Sequence, residues 1–378
     1  MAILETFKNR VGFVFADPAT IKNRCTSWAA RGIVATPMAT IKDVAALAGV
    51  SYTTVSHVIN KSRPVSEKVR GDVEAAIRRL NYVPSAVARS LKHQATSTIG
   101  LLVSNSTNPF FAELARGIED TCYRAGYTVI LCNSDDAPER QQTYLRVLLE
   151  KRIDGLIICS AGDDPGLADQ VRDAQVPMII VDRAVKGMNA DLVQIDHLKG
   201  AYIATRHLLE LRHKCIGCIA GPAFATVSAE RLEGYKKALT EAGAPFRPEW
   251  VVEGDFTAES GYRSARKLLK KPEITAVFAS NDLMGIGLLR FATEHGIRIP
   301  SQLSVIGFDG IELTKYFFPS LTTVGQSIRK QGEIAASALI DRMRKGVEGR
   351  VRRILIDPEL SIGESTGAPT PFVRSRHE

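Results

Sequence analysis

A small all-α head followed by a larger α/β core is the fold class this chain predicts, and three observations predict it. Residues 38 to 83 carry three short amphipathic helical patterns separated by turn residues. From residue 97 onward apolar runs alternate with amphipathic stretches, as repeated βα units do when they build a parallel sheet covered by helices on both faces. That second region, 97 to 366, spans about 270 residues, large for one such sheet, so two successive doubly wound lobes are expected.

The head is read first. Thr40 with Asp43 three residues on gives an N-cap pair ahead of Ile41, Val44, Ala45 and Ala48, which share one helical face. Gly49 breaks that helix and Ser51 can cap the next. Stepping about 100° per residue from Tyr52, the apolar Val55, Val58 and Ile59 fall on one side. Thr53, Ser56, His57 and Asn60 fall on the other, with Tyr52 at the edge. This is a helix-turn-helix pattern, in which one face packs and the other can read base edges in a DNA major groove. Taken alone, the same residues also describe a helical hairpin with a solvated polar face. Ser66 ahead of Val69, Val73, Ala76, Ile77 and Leu80 signals a third helix that ends near Asn81, before Pro84.

Charge separates the two regions. The net charge is +8; residues 1 to 37 carry five Lys and Arg against two Asp and Glu, residues 38 to 94 carry nine against four, and the rest carry thirty-five of each. A basic head joined to a neutral core suits phosphate contact by the head and another task for the core. No long apolar face accompanies the basic charge, which argues against a membrane-surface role, and no apolar run approaches the roughly 18 residues a membrane span needs. Residues 1 to 37 mix Lys8, Arg10, Asp17, Lys22 and Arg24 among apolar positions and lack a secretory cleavage pattern, so a cytoplasmic protein is expected. That leader is expected to be disordered, or to be upstream sequence with Met38 as the true initiator.

Cys215 and Cys218 have CxxC spacing but lie in an apolar run that reads as a strand, where residues three apart point to opposite faces. Reduced, buried thiols are expected, with no metal and no cofactor. Enzyme chemistry lacks a constellation: Ser228, His197, His207, His213 and His295 show no motif spacing.

Eight apolar runs are candidate strands: 99–103, 128–132, 155–159, 178–181, 192–195, 215–220, 276–279 and 304–308. No GxGxxG or GxxxxGK[ST] motif follows the first, so dinucleotide and P-loop binding lose their usual signature. Ligands of open α/β sheets sit beyond the carboxyl ends of the strands. The residues found there are Asn108, Phe110 and Phe111; Asp182 and Arg183; Arg231; Asn281; and Asp309, with Phe256 after the run near Val251 and Gln326 after Leu321 to Val324. Forked polar groups suit hydroxyls that both donate and accept, and aromatic rings suit the C–H faces of a pentose or hexose. Each residue also has a plainer reading: Asn281 as a helix cap, the two phenylalanines as core packing, Arg231 as a solvated helix residue.

The string from Ala39 to Lys92, through Pro84-Ser85-Ala86-Val87-Ala88-Arg89-Ser90-Leu91-Lys92, resembles the DNA-binding domain and hinge helix of the lactose and galactose repressor family of bacterial transcription regulators. Behind it, Asn108-Pro109-Phe110-Phe111, Asp182-Arg183, Asn281-Asp282 and Gly307-Phe308-Asp309-Gly310 look like the contact set of ribose-binding proteins, and residues 98 to 160 are similar to ribose operon repressors. The resemblance implies a helix-turn-helix domain at 38–83, a hinge helix and linker at 84–96 and a periplasmic-binding-protein-like effector and dimerisation domain at 97–366. Its first lobe is expected at about 97–197 and 324–351, its second at about 198–323 and 352–366, with a tail at 367–378. It implies a homodimer on a near-palindromic operator, with Thr40, Tyr52, Thr53, Thr54, Ser56, His57 and Asn60 contacting DNA from the head and Ala88, Arg89, Leu91 and Lys92 from the hinge. Leu91 would wedge into the minor groove. The expected effector is ribose or a related pentose that releases the operator; the alternative is a purine base that corepresses. A sugar-binding protein without a regulatory role is the remaining reading.

Overall fold

The computed structural model describes residues 39–84, 95–159, 169–171, 175–183, 188–345 and 350–369, which fall into two compact units, one within 1–92 and one within 93–378. The leader at 1–37 and the hinge residues Ala88, Arg89, Leu91 and Lys92 lie outside the described residues.

In the first unit Ile41–Ala48 (α1), Tyr52–Asn60 (α2) and Glu67–Leu80 (α3) are the three expected helices. A complete capping box opens α1: Asp43 N donates to Thr40 Oγ1, and Thr40 N donates to the Asp43 carboxylate at 2.7 Å. That helix stops at Gly49, whose φ of +66° is a left-handed conformation that a Cβ disfavours. Ser51 and Ser66 cap the other two. Val44, Ala45, Val55, Val73 and Ala76, drawn from all three helices, meet in one small core.

The second unit holds two six-stranded sheets. Thr98–Val103 (β1), Thr128–Asn133 (β2), Gly155–Cys159 (β3), Met178–Val181 (β4) and Asp191–Ile195 (β5) belong to the first. Ile216–Ala220 (β6), Val251–Glu253 (β7), Ala276–Ala279 (β8), Ser304–Asp309 (β9) and Thr322–Gly325 (β10) belong to the second. Arg353–Ile356 (β11) and Glu359–Ser361 (β12) add one edge strand to each, giving β11-β5-β4-β3-β1-β2 and β12-β10-β9-β8-β6-β7. The pairings are parallel except that of β10 with β12.

Helices cover both faces, and the strand alternation shows how. Ile99, Leu101 and Val103 of β1 pack with Leu114 and Ile118 of Pro109–Arg124 (α4), whereas Leu102 between them packs with Leu145 and Leu148 of Pro138–Glu150 (α5). In the second sheet Ala276 and Phe278 pack with Ala201 of His197–Glu210 (α6) and Tyr235 of Thr226–Glu241 (α7). Val277 and Ala279 pack with Leu268 of Ala258–Leu268 (α8) and Met284 of Asp282–Glu294 (α9). Ile328–Lys345 (α10) returns to lie beside α4, against β3 and β4. Buried Cys218 joins one of these clusters and partly buried Cys215 packs against the other, so the two thiols sit on opposite faces of the second sheet.

The chain passes between the sheets at Ile195–His197, Gly325–Ile328 and Ile356–Glu359. This corrects the expected lobe limits at two places. Val324 pairs with Phe308 in the second sheet, so that crossing falls after Gly325 rather than before residue 324. Strand β11, expected with the second lobe, pairs with β5 of the first. The reason is the buried Asp191 carboxylate at the head of β5, which accepts the Arg352 backbone N–H at 2.9 Å and its guanidinium at 2.6 and 2.8 Å.

Candidate DNA-reading face and effector pocket

Helix α2 carries the candidate reading face. Tyr52 is 62% exposed and Thr53 is exposed beside it at the N-terminal end, where the first turn of a recognition helix reaches base edges. His57 is half-buried, its Nδ1 2.8 Å from Ser62 Oγ, and Asn60 Nδ2 turns back to the Ser56 carbonyl at 2.9 Å and to Ser56 Oγ at 3.2 Å. Thr40 and Thr54 are engaged in caps, Thr40 with Asp43 and Thr54 with Ser51. The expected head residues therefore divide into Tyr52 and Thr53, exposed at the N-terminal end, and ones whose side chains already make local hydrogen bonds, the exposed Thr40 and Asn60 among them.

All ten expected ligand residues of the core line one cavity of about 550 Å³, at the carboxyl ends of strands from both sheets. Asn108 caps α4, its Oδ1 accepting from Phe110 N at 3.0 Å, and so plants Phe110 and Phe111 at the rim. Their rings meet edge to face, centroids 5.1 Å apart, and serve cavity and core at once. Asn281 likewise caps α9 while its Nδ2 donates to the Phe256 carbonyl at 3.0 Å. Cap and pocket readings hold together for these side chains.

The floor is a buried charge network. Asp182 and Arg183 follow β4, and Arg183 reaches Asp136 at 3.6 Å. Arg231, on α7, lies with its guanidinium 3.9 Å over the Phe308 ring and 3.4 Å from Asp309 Oδ1, which also accepts from Gln326 Nε2 at 2.6 Å. Asp182 is buried, which alone would raise its carboxyl, but His197, Arg231 and Arg183 hold it down to about 2. Burial pushes Asp309 the other way, to about 7, with the Asp182 charge adding to the rise and Arg231 and Gln326 opposing it. Asp182, Phe256 and Asp309 stand at φ +75°, +64° and +120°, a left-handed region that side chains adopt at a cost of order 1–3 kcal/mol each where the surroundings enforce it. Arg183 Nε and Gln326 Oε1 are buried and make no hydrogen bond, so the cavity presents a donor and an acceptor to a ligand.

Sequence reasoning missed part of the lining. Asp135 and Asp136 follow β2, Glu253 ends β7 and Asp255 follows it, and Phe224 stands on the loop after β6. The same strand-end rule, applied to β2 and to the three-residue β7, would have found the four carboxylates.

Comparison with known proteins agrees with this architecture. Residues 96–362 match the periplasmic binding proteins and sugar binding domain of LacI family, and residues 40–85 match the bacterial regulatory proteins of the lacI family. The HTH-type transcriptional repressor PurR of Photobacterium profundum is 46% identical over 331 residues, covering 87% of this chain and 98% of that repressor. The PurR repressor of Proteus mirabilis is 44% identical over 342 residues, covering 90% and 100%. Among solved structures, the Lac repressor dimer bound to operator and the anti-inducer ONPF is similar with a TM-score of 0.76 at 31% identity, covering 87% of this chain and 99% of that one. A LacI family regulator from Enterococcus faecium with bound ribose is similar with a TM-score of 0.65 at 33% identity, covering 72% and 99%. The expected nearness to ribose operon repressors is corrected by these relatives, which at this level of identity are PurR repressors. With a helix-turn-helix head, a two-lobed core of parallel sheets and relatives matched over nearly their whole length, the chain belongs to the lacI family of bacterial regulatory proteins and is a DNA-binding repressor.

Proposed function

We propose that this repressor answers to a purine base, taken into the cavity between the two lobes as a corepressor that tightens its hold on the operator. The observation that carries the reading is the 46% identity to a PurR repressor over 98% of that protein's length. The cavity suits a flat heterocycle: Phe110, Phe111 and Phe256 offer ring faces and edges, and Asp182, Arg183, Asn281 and Gln326 offer donors and acceptors. Six carboxylates among the lining residues, against the guanidiniums of Arg183 and Arg231, disfavour a phosphate, so the free base rather than its nucleotide is the proposed ligand.

A second reading is kept for one observation. The Enterococcus regulator holds ribose at 33% identity to this chain, and the Asp182 and Asp309 carboxyls with the Arg231 guanidinium stacked on Phe308 suit vicinal hydroxyls equally well. Under that reading the sugar releases DNA.

The head is proposed to read a near-palindromic operator as a homodimer, Tyr52, Thr53 and His57 meeting base edges in each half-site and Leu91 of the hinge the minor groove. Calorimetric titration with hypoxanthine, guanine, ribose and ribose phosphate, together with operator retention with and without each, tests both readings. Micromolar binding of a purine that tightens operator retention is the expected outcome; binding of ribose alone, with release of DNA, would transfer the conclusion to the pentose.

A further inference from the structure

Between Asp182 of the first lobe and Arg231 of the second stands a residue that does not line the cavity: His197, the first residue of α6, directly after the first crossing between the sheets. Its ring is 1% exposed and stacks on Phe308, centroids 6.1 Å apart and planes 30° from parallel. Arg231 approaches its Nδ1 with Nε at 3.4 Å and Nη2 at 3.3 Å. A guanidinium only donates and keeps its charge in proteins, so Nδ1 must be the bare, accepting nitrogen. The hydrogen then sits on Nε2, which faces Asp182 at 3.3 Å from both its main-chain oxygen and its Oδ1.

The other edge of Arg231 is also committed. Its Nη1 donates to the Ser280 carbonyl and stands 3.4 Å from Asp309 Oδ1, while Phe308 supports its face. Arg231 is therefore fixed on three sides, and the His197 side is the one that reaches the first lobe. We propose that His197 is the positioning residue that couples the lobes at the effector site: as the neutral Nε2–H tautomer it ties Asp182 to Arg231 and so sets the orientation of both groups toward the ligand. This rests on the reading of the cavity as the effector site. It adds that affinity there depends on a side chain that need not touch the ligand.

Two variants of the full-length protein separate positioning from mere filling of space. His197→Phe keeps a planar ring against Phe308 and removes both hydrogen bonds; His197→Gln keeps one acceptor and one donor. With hypoxanthine and ribose as the probes, His197→Phe is expected to weaken whichever binds by about 10- to 100-fold, the range that follows from leaving a buried charged donor unpaired, with Gln recovering most of the loss. Unchanged affinity in the Phe variant, or a Gln variant no better than Phe, would overturn the proposal. A second measurement needs no ligand. In protein labelled with ¹⁵N-histidine, the signal absent from His197→Gln should report hydrogen on Nε2 and a bare Nδ1 at neutral pH; a proton on Nδ1 would overturn the proposal even if neither probe binds. Failure of both probes with the expected tautomer would instead count against the purine and pentose readings alone.

Discussion

Asp309 sits 2.6 Å from the Gln326 amide and 3.4 Å from the Arg231 guanidinium, with Asp182 as a charged neighbour, and burial raises its carboxyl to about 7. An unfolded aspartate titrates near 4, so between about pH 4 and 7 the folded chain keeps a proton that the unfolded chain has released. The stabilising contribution is full below pH 4 and is lost as pH rises through 7. Urea midpoints of the wild type should therefore fall between pH 5 and 8 relative to those of Asp309→Asn; parallel curves would count against the assignment. Thiols give a second residue-scale expectation. Burial holds Cys122 at about 11 and Cys218 at about 12 and raises Cys159 too, so iodoacetamide should leave all three unmodified in the native protein while partly exposed Cys215 reacts first among the described cysteines. Peptide mass spectrometry after timed alkylation reads the order. At this scale residue types were legible, because a strand end presents its next side chains to a ligand whatever the tertiary detail. Protonation was not: Asp182 and Asp309 look alike in the sequence, and only their neighbours drive one to about 2 and the other to about 7.

The helices of the head follow from local rules, and their punctuation is testable. Gly49 holds φ +66° with open space around a would-be Cβ, so Gly49→Val meets backbone strain rather than a clash. A left-handed β-branched residue costs at least about 1–2 kcal/mol, and the small five-residue core has little reserve. Operator affinity should fall several-fold or more in a mobility-shift assay while calorimetric effector binding stays unchanged. In the core unit the helix pairs meet through glycine: a Cβ on Gly117 of α4 would collide with the Arg329 carbonyl of α10. Gly117→Ala should lower the unfolding free energy by about 1–3 kcal/mol, measured by urea denaturation. All eight candidate strands exist, each within one residue of the expected limits at both ends. The remaining four, β7, β10, β11 and β12, are three or four residues long; too few positions alternate there for a period of two to declare itself, and long-range pairing makes them strands.

The two lobes are joined by three crossings, and the cavity lies where strand ends of both sheets face it, so a ligand contacting both biases their relative arrangement. The proposed homodimer also needs a self-complementary surface. Leu313, Tyr316 and Phe318, exposed at 42%, 76% and 92% on one short segment, are the apolar surface we assign to it. Phe318→Asp should shift the protein from dimer toward monomer in light scattering and weaken operator binding with it; an unchanged dimer mass would move the interface elsewhere. By itself the sequence determined the class of protein: a capped helix-turn-helix, a basic head on a neutral core, repeated βα units, and pocket residues in strand-end order. Those features are written in local periods of 3.6 and 2 and in residue chemistry, which need no knowledge of distant neighbours. Only the tertiary structure decided which sheet takes β11, why the Asp309 carboxyl is raised, and that His197 stands between the lobes. Each of those depends on groups brought together from far apart in the chain, such as Asp191 with Arg352 or Asp182 with Arg231, and no local period encodes that.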